Sequence, residues 1–322
     1  MFIRAHRVSM LIGTVALVVV GAASAGDRAT DEPRVGIQPR VASASRTNIR
    51  VDTNLVLIPV SVTDPRNHPV TGLASDGFRV FEGKAEQKVL QLSSDDAPLS
   101  VGIVFDASGS MADKLAKARE AVAEFLKSAG PGDEFFLVNF NSTAELAVPF
   151  TTKTDEIETR LMYADSKGKT ALLDAIYLAL HHMKSARNPR RALLVISDGG
   201  DNDSRYSEKE TRKIVQETDA WIYAIGIYAG GSPTLPEEER GGPKLLTDIA
   251  EESGGRHFAV HDANQLPEAA TKIGLELRNQ YILAYSPANT ETDGKYRRVQ
   301  VKLVDRRDLH LSWRPGYYAP GR

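Results

Sequence analysis

Three oxygen-bearing side chains, Asp106, Ser108 and Ser110, occupy alternate positions in the stretch FDASGSM, directly after the apolar run from Val101 to Phe105. Small hydroxyls and a carboxylate at that spacing suit a hard divalent cation. Mg²⁺ takes about six oxygens at roughly 2.1 Å and keeps some of its waters, so a few protein donors are enough. Sequence-distant residues must complete such a shell. Two candidates stand at element edges: Thr170 in SKGKTALLDAI, and Asp198 at the end of RRALLVISDGG. An isolated Asp106 at the end of a buried strand would cost several kcal/mol to desolvate, and a cation offsets that cost.

Competing chemistries fit the same residues less well. The GKT at Gly168–Thr170 looks like the end of a phosphate loop, but the motif's first glycine would fall at Tyr163, and no strand precedes it, which excludes nucleotide binding. The sequence DASGS lacks the glycine two residues before the serine that a nucleophile elbow requires. Asp201, Asn202 and Asp203 do not continue into a calcium-binding helix–loop–helix pattern, because Lys209 stands where its glutamate belongs. They read as a solvated acidic loop capping a helix that starts near Ser207, with a second cation site as the alternative. Adjacent His181 and His182 on a helix point about 100° apart and do not chelate jointly. His257 and His261 flank a short strand and read as ordinary surface or core residues.

Stepping outward, the elements that must position these donors are legible as a rhythm. Apolar runs at Val101–Phe105, Phe135–Phe140, Leu193–Ile196 and Trp221–Tyr228 are continuous rather than alternating, the pattern of parallel strands covered on both faces. Helical periods lie between them. Leu115, Ala118, Val122, Phe125 and Ala129 share a face, as do Leu172, Ile176, Leu180 and Met183, and Leu266, Ala270, Ile273 and Leu277. Alternating βα units predict a doubly wound, mostly parallel α/β sheet, Rossmann-like, whose ligands bind beyond the carboxyl ends of the strands. Asp106 and Asp198 both stand there. Ala147–Phe150 reads as a short antiparallel edge strand, and Ala229–Lys244, with four Gly and three Pro, reads as a long loop.

Period two marks both flanks. LVLIPVSVTD from Leu55, then strands near Phe78–Phe81 and Val89–Leu92, precede the α/β region; Tyr281–Tyr285, Arg298–Val304 and the strand of Leu309, Leu311 and Trp313 follow it. Pro59 must sit at an edge or bulge, because it has no N–H to donate. The expected organisation is a signal peptide over 1–25, a disordered linker over 26–50 and an N-terminal β-strand region over 51–96. The α/β domain follows over 97–279, and a C-terminal β-strand region over 280–322 pairs with 51–96 into one small all-β domain.

The set DASGSM, GKTALLDA and LLVISDG, in that order and spacing, resembles the metal-ion-dependent adhesion site of von Willebrand factor type A (VWA) domains. The resemblance runs from about Leu99 to Leu277, and the flanks look like those of the secreted bacterial VWFA-related subfamily. It implies that Asp106, Ser108, Ser110, Thr170 and Asp198 hold Mg²⁺ (or Mn²⁺ or Ca²⁺), the hydroxyls mainly directly and the carboxylates directly or through water. It also implies that the last coordination position is filled by an Asp or Glu carboxylate of a protein partner. The function so implied is an exported, non-enzymatic, protein-binding module of the adhesion type, able to couple partner binding to a shift of its last helix, near Ala263–Gln280. The alternatives are a structural envelope component whose cation only stiffens the fold, and a metal-dependent hydrolase. The hydrolase needs a nearby base that this set does not include.

Composition bounds the setting. The chain has 322 residues, 40 Lys and Arg against 42 Asp and Glu, and no Cys. A near-neutral charge without a basic block offers nothing to nucleic acid or to an anionic membrane surface. Arg4 and Arg7, an uncharged run from Val8 to Val20, and Ala23-Ser24-Ala25 have the layout of a secretory signal with its cleavage site; an uncleaved anchor is the alternative reading. The apolar run is shorter than the roughly 20 residues a span needs, so no membrane span is expected after cleavage. Without cysteine no disulfide staples the chain, and its stability must come from burial and from metal. The expected location is the periplasm, the cell envelope or the outside.

Overall fold

The computed structural model describes residues 55–94, 97–228, 237–306 and 308–321. The expected signal and linker, 1–25 and 26–50, lie outside the described residues. Four strands come first: β1 (Val56–Thr63), β2 (Phe78–Glu82), β3 (Ala85–Gln87) and β4 (Val89–Ser93). The α/β region then runs β5 (Leu99–Asp106), α1 (Leu115–Leu126), β6 (Glu134–Phe140), β7 (Ala144–Thr151), α2 (Thr154–Met162), α3 (Leu172–Met183) and β8 (Arg190–Ser197). It continues with α4 (Glu208–Glu217), β9 (Trp221–Ile227), α5 (Glu237–Ser253), β10 (His257–Val260) and α6 (Leu266–Arg278). The chain closes with β11 (Tyr281–Tyr285), β12 (Tyr296–Leu303), β13 (His310–Trp313) and β14 (Gly316–Tyr318).

The central sheet has six strands in the order β10-β9-β8-β5-β6-β7. All neighbours pair parallel except β7, which runs antiparallel to β6 at one edge. Every residue of β5 and of β9 is buried, as strands covered on both faces must be. One face packs on α1, α2 and α6, with Val101, Ile103 and Phe105 of β5 against Val122, Phe125 and Ile273. The other packs on α3, α4 and α5, with Val104 of β5 and Val195 of β8 against Ile176, Ile214 and Ile249. Each such side chain contributes about 1.5–3 kcal/mol on burial. Gly102 lets this packing close: a Cβ there would lie 2.2 Å from Phe136 Cζ.

From β5 the chain crosses to β6 on one side, and from β8 to β9 on the other. The strand order therefore reverses between β5 and β8, and that reversal opens a crevice at their carboxyl ends.

The flanks form two four-stranded sheets, β13-β1-β11-β4 and β14-β12-β2-β3. Ile58, Val60, Phe78, Val80, Leu283 and Val301 lie in one core between them. Pro59 pairs with Ile282 of β11, while the β13 ladder begins only at Val60, so the missing N–H falls where the strand has a neighbour on one side. Arg256, just before β10, ties the flanks to the α/β layers through Thr63 Oγ1 at 3.1 Å, Asn67 Oδ1 at 2.5 Å and the buried Glu276 of α6 at 2.9 Å.

The long loop expected over Ala229–Lys244 is corrected in its second half, because α5 begins at Glu237. The residues that argued for a loop, Gly241, Gly242 and Pro243, lie in its first turns. Gly242 is there for close approach: a Cβ on it would lie 2.6 Å from the carbonyl carbon of Gly199. A glycine selected for backbone contact and a glycine selected for a turn look alike in sequence.

Candidate metal centre

Asp106 is the last residue of β5 and is fully buried. Its Oδ1 accepts the backbone N–H of Ser108 at 2.8 Å, and its Oδ2 accepts the hydroxyl of Ser197, the last residue of β8, at 2.5 Å. The carboxylate thus clamps the ends of the two strands that border the crevice. The chain then turns through a 3₁₀ segment, Gly109–Met111, which leaves Ser108 buried and Ser110 exposed. Their hydroxyl oxygens are 3.1 Å apart. Two ligands on adjacent corners of an octahedron with bonds of about 2.1 Å stand about 3.0 Å apart.

Thr170 arrives on the loop before α3 and is buried. That loop is pinned to the Asp106 turn: Gly109 N–H donates to the Gly168 carbonyl at 3.0 Å and Lys167 N–H to the Ala107 carbonyl at 2.9 Å. The Ser166 hydroxyl also donates to the Ser108 carbonyl. Gly168 takes a φ of +78° and leaves room for Ser142, whose hydroxyl accepts the Lys169 N–H at 2.9 Å. Thr170 itself is held through its backbone: its N–H donates to Asn202 Oδ1 at 2.9 Å, and its carbonyl accepts from Asn202 N and Asp203 N. Asp198 follows β8 directly and presses electrostatically on both Asp106 and Tyr228. The turn after β5, the loop before α3 and the residue after β8 thus lie together at the carboxyl ends of β5 and β8.

Charge at this rim is strained. Burial, then the nearby Asp198 carboxylate, pushes the Asp106 carboxyl up from 3.8 to about 6, against the opposing hydrogen bonds from Ser108 and Ser197. At neutral pH two carboxylates share a poorly solvated crevice. Lys114 Nζ stands 3.4 Å from Asp198 Oδ2. Among the described residues no group of three or more His, Cys, Asp or Glu is set to hold a metal ion. The side chains at these strand ends offer hydroxyl and carboxylate oxygens, the ligand type that hard cations take.

The acidic loop after Asp198 has a different job from the one expected. Asp201 Oδ1 accepts the Leu173 N–H at 3.3 Å, at the amino end of α3, and Asn202 fixes Thr170. The helix after Ser207 caps itself instead, through a reciprocal box between Ser207 and Glu210. Sequence reasoning missed Ser197 and Lys114, gave Asn202 another role, and also missed Asp174 of α3, whose Oδ1 accepts the N–H groups of Arg205 and Tyr206. Asp174 had a readable signal, an acid in the first turn of a helix. His182 stacks on Phe150, and His257 hydrogen-bonds Tyr228 and Thr247 through its two ring nitrogens. Burial pushes His257 down to about 4, so it is neutral at pH 7.

Residues 101–200 match the model of the von Willebrand factor type A domain family. An uncharacterized protein of Borreliella burgdorferi is 26% identical over 200 residues, covering 55% of this chain and 58% of that protein. The chain thus spans less than two thirds of the length of this curated relative. The solved von Willebrand factor type A structure from Catenulispora acidiphila has a TM-score of 0.50 at 13% identity, covering 83% of this chain and 73% of that one. That likeness is one of fold.

Proposed function

Since the chain carries a von Willebrand factor type A domain, we propose that it is an adhesion-type protein-binding module. It would capture a partner carboxylate through a divalent cation held by Asp106, Ser108, Ser110, Thr170 and Asp198. The observation that carries this reading is the 3.1 Å separation of the Ser108 and Ser110 hydroxyls beside a buried Asp106 that Asp198 crowds. Neutral oxygens at octahedral spacing with two carboxylates close behind them are what a hard cation needs from a protein. When bound, the ion would supply an electrophilic position for an Asp or Glu side chain of another protein.

The protein's own residues do the positioning. Ser197 and the Ser108 amide aim Asp106, Asn202 holds the Thr170 backbone, and exposed Ser110 marks the side open to a partner. A binding role is favoured over hydrolysis because the five proposed donors include no His or Glu and so supply no general base. Export is inferred from the pattern of Arg4, Arg7 and the apolar run to Val20. Among the described residues no helix is long and apolar enough to cross a membrane.

The test is water-proton relaxation of Mn²⁺ with the purified chain. We expect enhanced relaxation on adding the chain, reduced when a glutamate-containing peptide at millimolar concentration displaces metal-bound water. Thr170→Ala and Asp198→Ala should abolish the enhancement with circular dichroism unchanged. No enhancement with the wild-type chain would refute the reading.

A further inference from the structure

Lys114 is unexplained by the donor set. It occupies the N-cap position of α1, without a side-chain capping bond, and the first turn of that helix holds no acidic residue. A cation there opposes the positive end of the helix dipole, where Asp, Ser or Thr is favoured. Helix formation therefore does not account for it. The ammonium instead lies 3.4 Å from Asp198 Oδ2, a residue 84 positions away, and both side chains are only 13% exposed. A largely buried ion pair at the mouth of a proposed cation site places a single positive charge where a double one would act. Asp198 is also the carboxylate that crowds Asp106.

We propose that Lys114 is an internal counter-ion of the cation site. Its ammonium neutralises Asp198 in the metal-free chain, and a divalent cation binds in competition with it. This rests on the divalent-cation reading above. The four-carbon stem suits the role, since lysine is a point charge that can swing away while its backbone stays in the helix, and it brings no fork to lock the carboxylate. Two consequences follow. The metal-free crevice keeps its shape despite its two carboxylates, and the affinity for metal is lower than the oxygen donors alone would give.

The experiment is calorimetric titration of Mn²⁺ into the EDTA-treated and dialysed full chain at fixed ionic strength, paired with thermal melts of the metal-free form. Lys114→Met and Lys114→Gln should bind Mn²⁺ about tenfold more tightly than wild type, because one positive charge next to the ion is gone. Both should melt lower than wild type without metal and regain the difference when Mn²⁺ is added. Lys114→Arg keeps the charge and adds a fork that holds the carboxylate, so it should bind Mn²⁺ no more tightly than wild type and melt no lower without metal. Lys114→Gln keeps an amide donor to Asp198, so it supplies the reading should Lys114→Met fail to fold. If wild type binds Mn²⁺, and Asp198→Ala loses it while both neutral variants bind as wild type or more weakly, the counter-ion role is overturned and the cation site stands. If wild type binds no Mn²⁺, both fall together.

Discussion

Replacing Asp106 by Asn should stabilise the metal-free protein at alkaline pH, the reverse of the usual outcome at a buried polar position. In the native state its carboxyl titrates near 6, against 3.8 for an ordinary aspartate, because burial and then Asp198 disfavour the charge. At about 1.4 kcal/mol for each tenfold change in proton affinity, ionised Asp106 costs the native state about 3 kcal/mol at pH 8. The sign follows from the protons bound. Between 3.8 and 6 the native chain holds more protons than the unfolded one, so stability from this group is fully present below 3.8 and is lost as the pH rises through 6. Asn removes the charge but offers Ser197 an amide where the 2.5 Å bond now reaches a carboxylate oxygen, a loss of about 1 kcal/mol. The net gain is about 2 kcal/mol, or roughly 4–8 °C in melting temperature for a unit of this size. Urea and thermal melts in EDTA at pH 8 and pH 4 measure it. The advantage should vanish at pH 4, where the wild-type carboxyl is already protonated, and Mn²⁺ should raise the melting point of wild type alone. An Asp106→Asn chain less stable than wild type at pH 8, or one with the same difference at both pH values, would refute the reasoning.

Other perturbations test the supports of the site. Gly199 takes a φ of +82°, and a Cβ there would lie 2.8 Å from the Gly242 carbonyl carbon, so Gly199→Ala should cost about 1–3 kcal/mol in urea titration and weaken Mn²⁺ binding by moving Asp198. A melt and an affinity equal to wild type would show that the turn tolerates the change. Glu276 is buried and accepts from both Arg256 and Tyr223, so Glu276→Ala should cost about 3–5 kcal/mol by leaving Arg256 unpaired in its partly buried position. A loss under about 1 kcal/mol in the same titration would mean that water replaces the partner.

The central sheet was legible because burial on both faces leaves a mark no other element leaves: Val101–Phe105 and Trp221–Tyr228 are apolar at every step. Asp106 and Asp198 stood out for the same reason, each being the first carboxylate after such a run. Even where the physics is local the signal went unread: Ser207 and Glu210 stand three apart, as a capping box requires, but the acidic loop before them was expected to cap the helix. Short elements carried too little period to read. In α2, Ile157 and Leu161 are the buried pair, and β3 and β14 have three residues each. The amino end of α5 was misread because Gly242 and Pro243 signal a break unless the backbone of Gly199 is known to press on them. Lys114 gave no sign at all. Its partner is set by where two strands end in space, and one-dimensional spacing does not record which way an ammonium turns.

Anomalous diffraction from a crystal of the chain soaked in Mn²⁺ tests the central claim most directly. The account predicts one strong peak at the carboxyl ends of β5 and β8, about 2.1 Å from the Ser108 and Ser110 hydroxyl oxygens, with Thr170 and both carboxylates in direct or single-water contact. A map at saturating Mn²⁺ with no peak between those serines would contradict it.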